Sequence, residues 1–205
     1  MKRLYRALRQ VLVLAVLCAA PITVPAQAQQ TIQEAVSSGK LIVSIEGTGG
    51  SSGDSIKLKV RKGPKAGDGP VDATVPPGTK LAANGGGFQS MVVAGISGED
   101  AGNGLMHPAS AIHLIGAVAT YILNAFCAEF EKDNPSETAT FSLGPPDPMV
   151  ACLAREGSSL SIEAMQAAVW MYTDNITYQH MNEKFGVTAS DWAAAQTIYR
   201  TCRAR

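Results

Sequence analysis

From Lys40 to about Phe130, apolar and polar residues alternate in short runs, the two-residue period of strands that bury one face. In Leu41–Glu46, Leu41, Val43 and Ile45 share one side while Ser44 and Glu46 take the other. Ser55–Arg61 turns Ile56, Leu58 and Val60 inward and Lys57, Lys59 and Arg61 to water. Gly47 to Gly53 lies between these two runs as a turn. The alternation continues through Val71–Val75, Lys80–Ala83 and Gln89–Ala94, and then through Ala111–Phe130, read as two strands broken near Gly116 with a buried helix as the alternative. Pro76-Pro77-Gly78, Asn84 to Gly87 and Gly98 to Gly104 punctuate the pattern. Short strands between Gly/Pro turns predict an Ig-like antiparallel β-sandwich over residues 40–143, closing with a strand at Thr138–Leu143.

The period then changes. Gly144-Pro145-Pro146-Asp147-Pro148 reads as a stiff connector. Beyond it, residues 144–205 carry helical signals. Met149–Arg155 forms a short helix, and Ser161 caps Ile162–Thr173. Gln179–Phe185 is stopped by Gly186. Thr188-Ala189-Ser190-Asp191 introduces Trp192–Arg203, with Asp in the acidic position of a capping box. The fold class is therefore α+β: a sandwich followed by a small C-terminal helical segment packed on it. Residues 29–39 form a polar leader with a helical turn near Ile32–Val36.

The first 28 residues have a different logic. Lys2, Arg3, Arg6 and Arg9 precede the apolar run Val11–Ala20, and Ala26-Gln27-Ala28 offers small residues for cleavage after Ala28. That is the pattern of a secretory signal peptide, and its apolar run is too short to span a bilayer. The expected location is the periplasm or the cell exterior of a bacterial envelope, with no transmembrane segment once the signal is removed.

Removing the signal changes the charge balance. The whole chain has 17 basic and 17 acidic residues; without residues 1–28 the ratio is 13 to 17. A mildly acidic chain lacks the basic footprint of a nucleic-acid binder and the polybasic cluster that draws a protein to anionic lipid. Three cysteines remain, Cys127, Cys152 and Cys202. Export favours a disulfide among them, and the odd count leaves one sulfur over. On spacing alone, one candidate is Cys127–Cys152, closing the Pro-rich connector and contributing about 3 kcal/mol by loop entropy.

Catalytic signals are sparse. Gly47 to Gly53 precedes a strand rather than a helix, so it is no phosphate loop. Ser37-Ser38-Gly39-Lys40 matches Ser-x-x-Lys without its partner motifs, and no nucleophile elbow is present. His107, His113 and His180 lack metal-ligand spacing, so neither a metal nor a cofactor is expected. These exclusions point to a non-enzymatic binding or surface-interaction module with a protein or cell-surface ligand. The least favoured option is a hydrolase assembled from His107, His113, His180, Asp174 and Glu183, residues distant in sequence.

One constellation carries reactive potential. Cys127 sits in Asn124-Ala125-Phe126-Cys127-Ala128-Glu129-Phe130, and Gln166 in Ala164-Met165-Gln166-Ala167-Ala168-Val169-Trp170-Met171-Tyr172-Thr173-Asp174. These two segments resemble the halves of the thioester domains of bacterial surface adhesins. The resemblance covers residues 121–131 and 162–175, with a shorter spacing than in those adhesins. It implies an internal thioester between Cys127 and Gln166 that couples covalently to a partner. It also implies that Cys152 and Cys202 form the disulfide of the helical region.

Overall fold

The structure is a computed structural model, and it describes residues 29–205. The signal-peptide assignment, residues 1–28, lies outside the described residues. Helix α1 (Ile32–Ser37) begins at Thr31, whose hydroxyl accepts from Glu34 N–H while the Glu34 carboxylate accepts from Thr31 N–H, a complete capping box. Ile32 and Ala35 on α1 are fully buried. The helix is thus anchored in the core by its apolar face.

Nine strands follow: β1 (Leu41–Gly47), β2 (Ser52–Lys62), β3 (Val71–Ala73), β4 (Thr79–Ala83), β5 (Met91–Gly102), β6 (Leu105–His107), β7 (Ile112–Leu114), β8 (Val118–Cys127) and β9 (Phe141–Pro146). Seven of them form one sheet in the order β1-β2-β8-β5-β4-β9, with β6 added to β5; β3 and β7 pair separately. Every strand pair is antiparallel. The sheet nearly closes on itself. Gly47 N–H donates to Ala139 C=O at 2.9 Å, and Glu46 bridges to Thr140. Gly47 is required there, because a Cβ would stand 2.3 Å from Ser136 O. The expected antiparallel β-rich body with C-terminal helices is present. Its hydrogen bonding does not divide into the two facing sheets of an Ig-like sandwich, since seven strands are continuous.

Ala111–Phe130 does contain two strands, β7 and β8, separated by Ile115–Ala117, so the buried-helix alternative falls away. The expected separator Gly98 to Gly104 is mostly strand instead. β5 runs through it to Gly102, with a register shift against β6 at Asp100/Gly102. The strand expected at Thr138–Leu143 is displaced to Phe141–Pro146, because Ser136 and Thr138 are engaged in a hydroxyl-bonded turn.

Four helices complete the chain: α2 (Pro148–Glu156), α3 (Ile162–Thr173), α4 (Tyr178–Phe185) and α5 (Ala189–Arg203). Asp147 caps α2 with Pro148 in its first turn; Ser161, Thr177 and Thr188 cap the others. Gly186 ends α4 in the left-handed region, at φ 60°. A disulfide joins Cys152 on α2 to Cys202 on α5. The spacing-based alternative, Cys127–Cys152, is therefore corrected: Cys127 is free and buried in the sheet. One continuous core joins the sheet's inner face, including Leu58, Met91 and Leu123, to Leu153, Val169 and Ala195 of the helices.

Candidate functional site

Strand β8 outlasts its neighbour. β2 begins at Ser52, opposite Phe126, so the main-chain groups of Cys127 on that side have no strand to pair with. Gln166 takes the vacant place. Cys127 N–H donates to Gln166 Oε1 at 3.0 Å, and Gln166 Nε2 donates to Cys127 C=O at 2.7 Å. Both residues are fully buried. A buried carboxamide costs several kcal/mol in an apolar surrounding, on the order of 2–7 without partners, and here each half has one.

Helix α3 delivers Gln166 because it is buried on nearly all sides: every residue from Ala164 to Met171 is inside. Such all-round burial marks a helix enclosed by other elements rather than lying on a surface. Its next turns grip the residues after Cys127. Trp170 packs edge-on against Phe130, with ring centroids 4.9 Å apart, and Asp174 Oδ1 accepts from Phe130 N–H at 3.0 Å. The segment after β8 and helix α3 thus meet through Cys127 and Gln166 and through Phe130 with Trp170 and Asp174.

The thiol of Cys127 donates to Ser51 C=O at 2.9 Å and lies 3.5 Å from Met91 Sδ. Burial pushes its pKa up to about 12, so the neutral thiol is the resting form at physiological pH. Behind Met91 lies an open cleft of 460 Å³, lined in part by Lys80, Ser90, Glu129, Asp147 and Tyr172. Glu129 Oε2 accepts from Ser90 N–H at 2.7 Å, and Lys132 pairs with Oε1. Burial raises the pKa of Glu129, but these partners outweigh it and hold the carboxyl below its ordinary value. Gln89, itself buried, accepts from Glu129 N–H at 3.3 Å and ties the segment after Cys127 to the loop before β5.

Asp147 was not singled out in the sequence, although Asp-Pro before an apolar run is a legible helix start. It accepts from Met149 N–H at 2.9 Å and Val150 N–H at 3.3 Å. Lys80 Nζ stands 3.0 Å from its other oxygen, and the Tyr172 hydroxyl donates to that oxygen at 3.1 Å. One carboxylate therefore joins β4, α2 and α3 at the wall of the cleft. Met91 and Ser51, the neighbours of the thiol, carry no sequence signal because they reach it only through the tertiary fold, Met91 as the strand partner of Cys127 and Ser51 from the turn before β2.

The five residues of the hydrolase option do not assemble. His113 pairs with Asp72 at 2.5 Å, His180 with Glu131 at 3.1 Å, and Glu183 accepts from Gln179. Asp174 holds the Phe130 backbone, and His107 is exposed on β6. None of the five hydrogen-bonds to another among the described residues. No group of three or more His, Cys, Asp or Glu is placed there to hold a metal ion.

Fold and site together define a mixed α+β domain, nearly barrel-shaped, whose helical layer presents a glutamine to a buried free cysteine. No protein-family model, curated protein or solved structure matches the chain.

Proposed function

We propose that this protein is a reactive surface module in which Cys127 and Gln166 form an internal thioester that then couples to a nucleophile on a partner. The reading rests on one observation: the Gln166 carboxamide is clamped to the main chain of the very residue that carries the free sulfur. Cys127 Sγ attacks Gln166 Cδ, the C–S bond forms, and the C–N bond breaks. The thiol proton leaves on the carboxamide nitrogen as ammonia. Cys127 N–H already points at Oε1, where negative charge gathers in the tetrahedral intermediate. An amine on the partner later attacks the acyl carbon, forms an amide, and returns a proton to sulfur.

The disulfide fits an oxidising compartment, as does the N-terminal export pattern. No helix of the described residues is long and apolar enough to cross a membrane. On this reading the protein works outside the cytoplasm, against a protein or cell-surface partner.

A second reading has its own support. The high pKa of Cys127 opposes thiolate chemistry, and the two hydrogen bonds make Gln166 a plug for a strand end. The protein would then bind its partner non-covalently. Intact mass and thiol titration of denatured, non-reduced protein separate the two. The thioester predicts a mass lower by one ammonia, no titratable thiol, a methylamine adduct after treatment, and loss of the mass deficit and of the adduct in Cys127→Ala. Full mass with one titratable thiol would overturn it and leave the binding module.

A further inference from the structure

The charges of the described residues are unevenly placed. Residues 40–65 hold six cations, Lys40, Lys57, Lys59, Arg61, Lys62 and Lys65, against the carboxylates Glu46 and Asp54. Over residues 29–205 as a whole, acidic residues outnumber basic ones, 17 to 13, so this stretch runs against the overall balance. Three of the six, Lys57, Lys59 and Arg61, occupy alternate positions of β2 and are all exposed. Alternate residues of a strand stand about 7 Å apart on one side of a sheet, so these form a straight row of positive charge.

β2 is an interior strand, hydrogen-bonded to β1 and β8 on either side. An interior row can be neutralised by carboxylates on both neighbours, the favourable cross-strand arrangement. The partners in register are instead Glu46 and Ile122 for Lys57, Ser44 and Thr120 for Lys59, and Ile42 and Val118 for Arg61. One acid faces three cations. None of the three takes part in an ion pair among the described residues; the pairs there use Lys80, Lys132, Lys184, Arg155, Arg205 and two histidines. Lys62 and Lys40 are tied locally, to the Asp68 and Gly69 carbonyls and to Gln30, and extend the positive field past the end of the row.

We propose that the outer face of β2 binds an acidic polysaccharide, with Lys57, Lys59 and Arg61 taking successive sulfate or carboxylate groups and the Ser44 and Thr120 hydroxyls flanking them. A rigid, regularly spaced row fits a linear polymer with repeating charge. No aromatic side chain lies among the in-register neighbours to stack a base, which disfavours single-stranded nucleic acid. The row lies along a strand rather than on an amphipathic helix, which disfavours a lipid surface. It begins several residues along β2 from Ser52, the end that abuts Cys127, so bound glycan leaves the cysteine site open.

The test is binding of the purified protein to immobilised heparin and dextran sulfate over a salt series. Retention at low salt is expected, with log Kd rising with log salt at a slope of about two to three, one released counterion per contact. Lys57→Gln/Lys59→Gln/Arg61→Gln weakens binding at least about tenfold, whereas Arg200→Gln/Arg203→Gln/Arg205→Gln, an equal charge loss at and just past the end of α5, leaves it unchanged. Near-native circular dichroism and an intact disulfide in both variants establish that folding is not the cause. No retention by the parent protein, equal losses in the two variants, or tighter binding to phosphatidylglycerol vesicles or DNA than to either glycan would overturn the proposal.

Discussion

Replacing Gln166 by methionine tests how much the carboxamide clamp contributes. The substitution nearly conserves volume, so it removes two hydrogen bonds without opening a large cavity. It strands Cys127 N–H and C=O, buried groups whose partners are Gln166 Oε1 and Nε2 at 3.0 and 2.7 Å. Each buried group left unpaired costs about 1–3 kcal/mol, so the loss is on the order of 2–6 kcal/mol. For a domain of this size about 1 kcal/mol moves Tm by 2–4 °C, which places the expected fall at roughly 5–20 °C. The comparison belongs in a Cys127→Ala background, where no thioester can add its own stabilisation, and is read by thermal and urea unfolding. Gln166→Glu adds a sign test. A protonated carboxyl keeps both bonds and an ionised one loses the donor, so burial favours the proton and raises the folded-state pKa. Its stability is then fully present below the ordinary glutamate range near about 4.3 and lost as pH rises through the raised value. A methionine variant within about 2 °C of its parent would falsify the clamp as an energetic element.

Two further outcomes follow from the helical layer. Cys152→Ala/Cys202→Ala opens a cross-link spanning 50 residues, worth about 4 kcal/mol by loop entropy, and Tm should drop by roughly 8–16 °C; a drop of under about 3 °C would show that the helices dock without it. Asp147 is desolvated, which raises its pKa, but Lys80, the Val150 N–H and Tyr172 outweigh this and hold it below the usual aspartate value. The stability it gives is present above about 3.9 and is lost as pH falls through its lowered folded value, so urea midpoints of the parent should decline in that acid window while Asp147→Asn, already weaker at pH 7, declines less.

How much of this was legible in the sequence depends on the range of the interaction involved. Ser161, Gly186 and Thr188 act within a turn of themselves, and the helices they bound lie where the pattern puts them. Ile56, Leu58 and Val60 alternate cleanly and face the core. What alternation does not encode is how strands join. An Ig-like sandwich and a nearly closed sheet share the same inside-outside pattern, and they differ in contacts such as Gly47 to Ala139, whose only local trace is a glycine among many. The glycines of Gly98 to Gly104 misled for a related reason: β5 tolerates them because β6 and β8 flank it, a context absent from the local run. The cysteine pairing was open on spacing and followed only from the resemblance. Gln166 was found through its motif, but that it meets the Cys127 backbone is a consequence of β2 starting late, and Asp147 was read as part of a connector although its own Asp-Pro pair announces a cap.

The disulfide and the Cys127–Gln166 contact are mechanically linked. Cys152 lies on α2 and Cys202 on α5, the two helices that flank α3. α3 has no exposed stripe by which to stand alone, and its position over β8 is held by those neighbours. An open cross-link leaves Gln166 dependent on side-chain packing to reach a strand end that lies 39 residues away. The Cys127–Gln166 contact is therefore favoured where thiols are oxidised. Burial and a pKa of about 12 also withdraw the free Cys127 thiol from exchange with the Cys152–Cys202 pair. Under the proposed thioester reading, the same shielding would keep water from the acyl group.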